Sequence, residues 1–305
     1  MMKISLDPVQ VFESFSKKKI SKEEALSFLI TILEKSENSK FRINSLRIIG
    51  NLNHKNEQIF KVLETSLISD EIQEIRTLSS EIILNQYINE GLDTLKWAIM
   101  NEKSTQVLSH FKSILNENVT TYSTLKNALN LRLNNIASKF DIDIEEVPFL
   151  LDLGIQLSTD TLFKMNFDDL IYISQENFTC VIENNHIIEI NLIYYPKIPN
   201  SIGNLTHLET LYLSCNNFNE LPIEFMNLIN IKTLDLSWNE FKEIPDEINN
   251  LHSLEEFNIS NNFLTEVPGW ISTLENLIYL NICGNEIKNV PKSIESSKKI
   301  KYLYY

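Results

Sequence analysis

Two hydrophobic periods divide the chain. In residues 1–117 apolar side chains recur three and four apart, the spacing of amphipathic helices. Ala25, Phe28, Leu29, Ile32 and Leu33 share one face of a first long helix. Ser21, with Glu24 three residues later, opens it as a capping box. FRINSLRIIGNL predicts a second helix, Ile59, Val62, Leu63 and Leu67 mark a third, and IRTLSSEIILNQY a fourth. A shift of 34 residues superposes Phe28 on Val62, Leu29 on Leu63, Leu33 on Leu67, Arg42 on Arg76, Ser45 on Ser79, Ile48 on Ile82 and Ile49 on Ile83. A recurring helix pair predicts an α-solenoid. A third pair, GLDTLKWAIMN then STQVLSHFKSIL, keeps a different spacing and ends the array.

From Ile187 onward the period changes. LETLYLSCNNF from Leu208, IKTLDLSWNEF from Ile231, LEEFNISNNFL from Leu254 and LIYLNICGNEI from Leu277 stand in one register. Asn216, Asn239, Asn262 and Asn285 fall 23 residues apart, and Pro222, Pro245, Pro268 and Pro291 keep the same step. Within each copy the last two apolar positions alternate, which predicts a strand. One such strand cannot bury its apolar side alone, but a parallel stack can. The Asn amide suits a turn that has no ladder of its own, so a structural role outweighs a binding one. Each Pro fixes φ on the return path, where apolar residues three apart predict short 3₁₀ segments. The first copy is irregular. Leu192 to Pro199 spans seven residues against nine from Leu213 to Pro222, with Tyr194, Tyr195 and Pro196 near the turn. Phe178 to Val181 predicts one extra strand, turned through Asn184 and Asn185 into the first repeat strand. The last copy supplies a strand from Ile300.

Between the two arrays, residues 118–177 do not repeat. Thr124 to Phe140 predicts one helix, and Pro148 stands near the start of another. This stretch is expected to be a packed helical adaptor that covers the open end of the repeat sheet.

The 23-residue step, with apolar residues at positions one, four and six and Asn at nine, resembles the leucine-rich repeat family. The 34-residue helix pairs look like short HEAT repeats, through Asp70 in a turn and Arg76 early in the next helix. In that family such a pair bridges successive turns; Ser36 stands at the matching place in the earlier copy. The resemblances imply an α plus α/β solenoid chain. HEAT-like helical repeats (1–117) would be followed by the helical adaptor (118–177) and a leucine-rich-repeat coil with a parallel concave sheet (178–305).

Charge and composition narrow the function. A net charge of −14 argues against nucleic-acid or anionic-membrane surfaces. No run of eighteen apolar residues occurs, and the start lacks the apolar core of a signal peptide. Cys180, Cys215 and Cys283 lie apart without metal-ligand spacing, as in a reducing compartment. A cytoplasmic protein is expected. No nucleotide-binding, zinc-protease, paired-cysteine or serine-hydrolase motif occurs, and only six glycines are present. His54, His110, His186, His207 and His252 are scattered and read as surface histidines. No catalysis and no cofactor are expected.

The informative residues are those between the apolar strand positions, which should face the concave side. The fifth position offers Tyr212, Asp235, Asn258 and Asn281, the third Tyr279 and Tyr302, and the eighth Trp238. Tyr and Trp dominate binding hot spots. Trp238 either anchors a partner or packs along its own loop. The expected work is protein–protein binding as a scaffold or adaptor. Proteins resembling these repeats also bind signalling enzymes such as small GTPases. Self-association through the C-terminal strand is the structural alternative.

Overall fold

The structure is a computed structural model that describes residues 7–117, 122–155, 163–167 and 170–305. The chain divides into two compact units, Met1–Arg132 and Leu133–Tyr305.

The first unit is built of helix pairs. Helix α1 (Pro8–Ser16) is capped by the Asp7 side chain, and α2 (Lys22–Lys35) opens on the Ser21–Glu24 capping box. Asn38 caps α3 (Ser39–Leu52), and Asn56 caps α4 (Glu57–Ser69). Then come α5 (Gln73–Gln86), α6 (Ile88–Asn101) and α7 (Thr105–Glu117), before α8 (Ser123–Phe140) carries the chain across the boundary between the units. The 34-residue step maps α3 onto α5 end for end. Helices pack on their partner in the pair and on the matching helix of the next copy: α3 on α5, α5 on α7, α4 on α6. That contact pattern defines stacked helical repeats. Leu29 and Leu63, Leu33 and Leu67, Ile49 and Ile83, and Ser45 and Ser79 are buried pairwise. Phe28 departs from its mate: it is exposed while Val62 is buried. Val62 lies on α4, between α2 and α6, whereas α2 has the short α1 as its other neighbour.

Ion pairs tie copy to copy. Arg42 of the first copy pairs with Asp70 in the turn of the second. Arg76 of the second grips Glu102 with two nitrogens, each at 2.9 Å. Glu102 also accepts from the backbone N–H groups of Lys103 and Ser104. The Asp70 side chain therefore takes the Arg before it in sequence, and Arg76 takes the acid after it. Arg76 reaches Asp70 only at its backbone carbonyl, 2.7 Å away.

Among the described residues the second unit holds a nine-stranded sheet whose strands lie in sequence order. Strands β1 (Phe163–Phe167), β2 (Leu170–Gln175), β3 (Phe178–Glu183) and β4 (His186–Leu192) form an antiparallel meander. From β4 the pairing turns parallel through β5 (Thr210–Tyr212), β6 (Thr233–Asp235), β7 (Glu256–Asn258), β8 (Tyr279–Asn281) and β9 (Tyr302–Tyr304). The short helix α9 (Val147–Asp152) precedes the sheet and packs on the first 3₁₀ return, Asn200–Asn204. The later returns, Ile223–Asn227, Asp246–Asn250 and Gly269–Thr273, each follow a Pro, and Pro291 leads into the single turn α10 (Lys292–Glu295).

The stretch expected to be a wholly helical adaptor is corrected here: it contains β1 and β2 as well as α8 and α9. Of β2, Ile173 alone is fully buried, so the two-residue alternation that would have announced the strand is weak.

The repeat core follows from the sequence register. Leu211, Leu234, Phe257 and Leu280 stack in one buried row. The Asn residues form a neutral ladder. Asn239 donates to its own Leu236 carbonyl at 3.0 Å and to Leu213 of the preceding copy at 2.8 Å, while its Oδ1 accepts from Phe218 N. Asn216, Asn262 and Asn285 repeat this pattern.

Candidate protein-binding face

Strand register builds the candidate site. On either side of the buried row lie two columns on one face of the sheet. One runs Glu189, Thr210, Thr233, Glu256, Tyr279, Tyr302; the other runs Asn191, Tyr212, Asp235, Asn258, Asn281, Tyr304. Neighbouring rungs are about 4.8 Å apart, so six rungs span about 24 Å. Tyr212, Asp235, Asn258, Tyr279, Asn281 and Tyr302 therefore share one face. Tyr279 and Tyr304 meet across it, their ring centroids 5.5 Å apart.

Three of these six also hold the backbone. Asp235 Oδ1 accepts from Ser237 N at 2.8 Å, Asn258 Oδ1 from Ser260 N and Asn281 Oδ1 from Cys283 N. Asn258 also donates to Asp235 Oδ2. The three bonds to backbone N–H groups are turn-forming contacts within each copy, and the Asn258–Asp235 bond joins two copies. Asp235 keeps its charge on the face, but Asn258 and Asn281 have much of their hydrogen-bonding capacity committed.

Trp238 sits one turn beyond. Its backbone has φ +57°, in the left-handed region, as do Tyr194, Cys215, Asn261 and Gly284 in the neighbouring copies. The strand ladder continues through this column: Cys215 N donates to Ser237 O, Trp238 N to Ser260 O and Asn261 N to Cys283 O. Gly284 suits the position; a Cβ there would approach Asn261 Oδ1 to 2.4 Å. A bulky residue in this conformation is an outlier that costs of order 1–3 kcal/mol. The Trp238 side chain is 61% exposed, so it does not fold back along its loop.

Tyr194, two rungs from Trp238 and 77% exposed, belongs with it and was missed from sequence. The signal was there, since Tyr194 and Tyr195 fill a turn that lacks the Asn of later copies. Acids surround the central tyrosine. Burial, and then Glu189, Glu256 and Asp235, push the Tyr212 hydroxyl above its ordinary range. The face is thus aromatic and negative.

Among the described residues, one group of His and carboxylate side chains, Glu146, His186 and His207, stands close enough to share an ion. No helix among them is long and apolar enough to cross a membrane.

Comparison with known proteins agrees with this geometry. The family "Leucine-rich repeat region" matches residues 186–262, and "Leucine Rich Repeat" matches residues 253–274. The C-terminal part of the chain is a leucine-rich repeat region, and such regions generally mediate protein–protein interaction and are typically non-enzymatic. Solved structures similar to it include a leucine-rich repeat protein of Leptospira interrogans, 34% identical over 40% of this chain and 31% of that one, with a TM-score of 0.37. An internalin of Listeria monocytogenes is 24% identical over 36% of this chain and 32% of its own, with a TM-score of 0.33. A plant peptide hormone receptor is 31% identical over 35% and 18%, with a TM-score of 0.32. Each match spans less than a third of the other protein's length. No curated protein matches the chain.

Proposed function

We propose that the chain is a non-catalytic cytoplasmic adaptor that docks a basic protein segment on the sheet face carrying Tyr212, Asp235 and Trp238. The observation that carries this reading is Trp238. A residue held in a costly backbone conformation with its ring in water gains nothing for the fold from that ring. An indole and phenol rings beside Glu189, Asp235 and Glu256 suit an Arg- or Lys-bearing segment, through cation–π contact and charge pairing. Tyr279 and Tyr302 extend the docking track. On this reading residues 178–305 are the recognition module, 118–177 a connecting cap and 1–117 a HEAT-like helical array open to a second partner.

Affinity capture with the full chain as bait tests this, beside a Tyr212→Ala, Trp238→Gly double variant. The wild type is expected to retain a partner that the variant releases, and rising salt should weaken retention because opposite charges meet. Equal recovery on both baits would place docking elsewhere on the chain.

A further inference from the structure

We propose that Glu146, His186 and His207 form a binding site for a divalent transition-metal ion of the zinc class. The three come together through the irregular first repeat. Glu189 pairs with Thr210 across β4 and β5, so residues 21 apart are neighbours there. His186 and His207 have that separation; a regular 23-residue copy would have misaligned them. In the next copies the equivalent place holds Asn230, Ser253 and Asn276, so the pair occurs at one point of the coil. Glu146 arrives from the other side, at the residue before α9, and is almost fully buried, 2% exposed.

The geometry is close to a ligand set. His186 Nδ1 lies 3.2 Å from Glu146 Oε1, and Glu146 Oε2 accepts from Ile187 N at 2.9 Å. The two imidazoles stack, their centroids 3.6 Å apart and their planes 16° off parallel. One ligand atom from each residue lies within 4.8 Å of the others. Ligand atoms about 2.0–2.1 Å from a tetrahedral ion stand about 3.4 Å apart. The Glu146–His186 spacing already meets this. His207 is exposed, and besides the stack on His186 its ring meets only Thr206 Oγ1, at 3.5 Å, so it can turn toward the other two. Two imidazole nitrogens and one carboxylate suit zinc-class ions, with a fourth position left for water, whereas calcium and magnesium prefer all-oxygen sets.

The bland alternative is a buried carboxylate held by one amide and one imidazole. It gives the exposed His207 ring no role beyond its stack on His186. It also leaves the buried Glu146 carboxylate with one amide and one imidazole as its only partners among the described residues. A cation would supply the missing charge. It would also clamp the start of α9 to the first two repeat strands.

The test uses the full chain, stripped with a chelator, carrying Cys215→Ser and Cys283→Ser so that accessible thiols do not compete. Calorimetry with zinc chloride is expected to show one ion per chain, and cobalt(II) should give the visible absorption of a four-coordinate site. Zinc should raise the melting temperature, and magnesium should not. His207→Ala should weaken zinc binding by at least about tenfold, since even lost outer contacts cost that much, and should abolish the cobalt band. Glu146→Gln should do likewise, while His252→Ala leaves both unchanged. The metal-free melting temperature of His207→Ala should equal that of the parent, because the side chain is exposed. No zinc uptake by the parent would overturn the proposal, as would equal uptake by the parent and His207→Ala.

Discussion

The helical unit and the leucine-rich repeat unit both have to hold one copy against the next, and they do it with opposite chemistry. In the helical unit the links between successive turns are charge pairs, Arg42 to Asp70 and Arg76 to Glu102, beside a neutral bond from Gln86 to the Gly50 carbonyl. In the repeat unit the buried links are neutral, an Asn side chain that donates to three carbonyls and accepts one N–H, and the charge pair Lys232–Glu209 lies at the surface. The reason lies in what each element leaves open. A helix satisfies its own backbone, so helical copies have few peptide groups to share and are linked through side chains. A coil of three-residue strands leaves turn carbonyls in the interior, and an amide meets them at no charge cost. The lesson is that removing a link should hurt differently in the two units.

The largest loss is expected at Arg76→Ala. Glu102 is nearly buried, and breaking such a pair from one side leaves its carboxylate to the N–H groups of Lys103 and Ser104 and the charge of Arg132, costing up to about 3–5 kcal/mol. Chemical denaturation of the full chain should show an early helical transition while the repeat transition stays put. Leu234→Ala should do the reverse, lowering the repeat transition by about 2–5 kcal/mol through a cavity in the buried row. Asn239→Ala should cost about 1–3 kcal/mol, since Phe218 N loses its partner while Leu213 O and Leu236 O keep only Asn216 and Asn262 as side-chain donors. If all three variants moved both transitions together, the two units would not be independently stabilised.

Acid sharpens the contrast further. His110, in the helical unit, has its pKa lowered below 6.5, mainly by burial and against the pull of Glu81. A depressed folded value means that its contribution is present above pH 6.5 and is lost as pH falls through the folded value. Glu146, in the repeat unit, is raised from 4.5 to about 7. Its contribution is present below pH 4.5 and lost as pH rises through about 7. Lowering the pH from about 7.5 to about 5 should therefore weaken the helical transition through His110 and strengthen the repeat transition through Glu146 in metal-free protein. His110→Gln and Glu146→Gln should each remove the corresponding slope; slopes that survive both changes would assign them to other groups.

The smallest effect is expected at Ser45 and Ser79. Both hydroxyls are buried without a hydrogen-bond partner, so Ser→Ala should raise helical stability by up to about 1 kcal/mol. A loss of stability would mean that the hydroxyls are satisfied in solution.

The repeat coil was the most legible part. Asn216, Asn239, Asn262 and Asn285 at a fixed step carry the turn chemistry in their side chains, and the strand register follows from them. The helical array was legible where copies match at 34 residues and illegible where they do not. Glu102 stands 32 residues after Asp70 and is Glu rather than Asp, so the second ionic link could not be read. β2 was missed because one buried residue in a strand gives no alternation. His186 and His207 looked unrelated because the first turn is two residues short, which hides their alignment under a 23-residue rule. On the candidate face, Tyr212 and Trp238 were visible as aromatics at outward positions. The left-handed backbone that singles out Trp238 was not, since nothing in the letter W reports φ.

That residue offers the most direct test. Trp238→Gly removes the ring and relieves the left-handed backbone in one step. The repeat transition should stay unchanged or move to higher denaturant, because Gly adopts φ +57° without strain. Calorimetry with the captured partner should meanwhile show affinity weakened by roughly 30- to 1,000-fold, the loss of a 2–4 kcal/mol anchor. Full affinity in a stable Trp238→Gly protein would contradict the account, because the face would then bind without the residue that defines it.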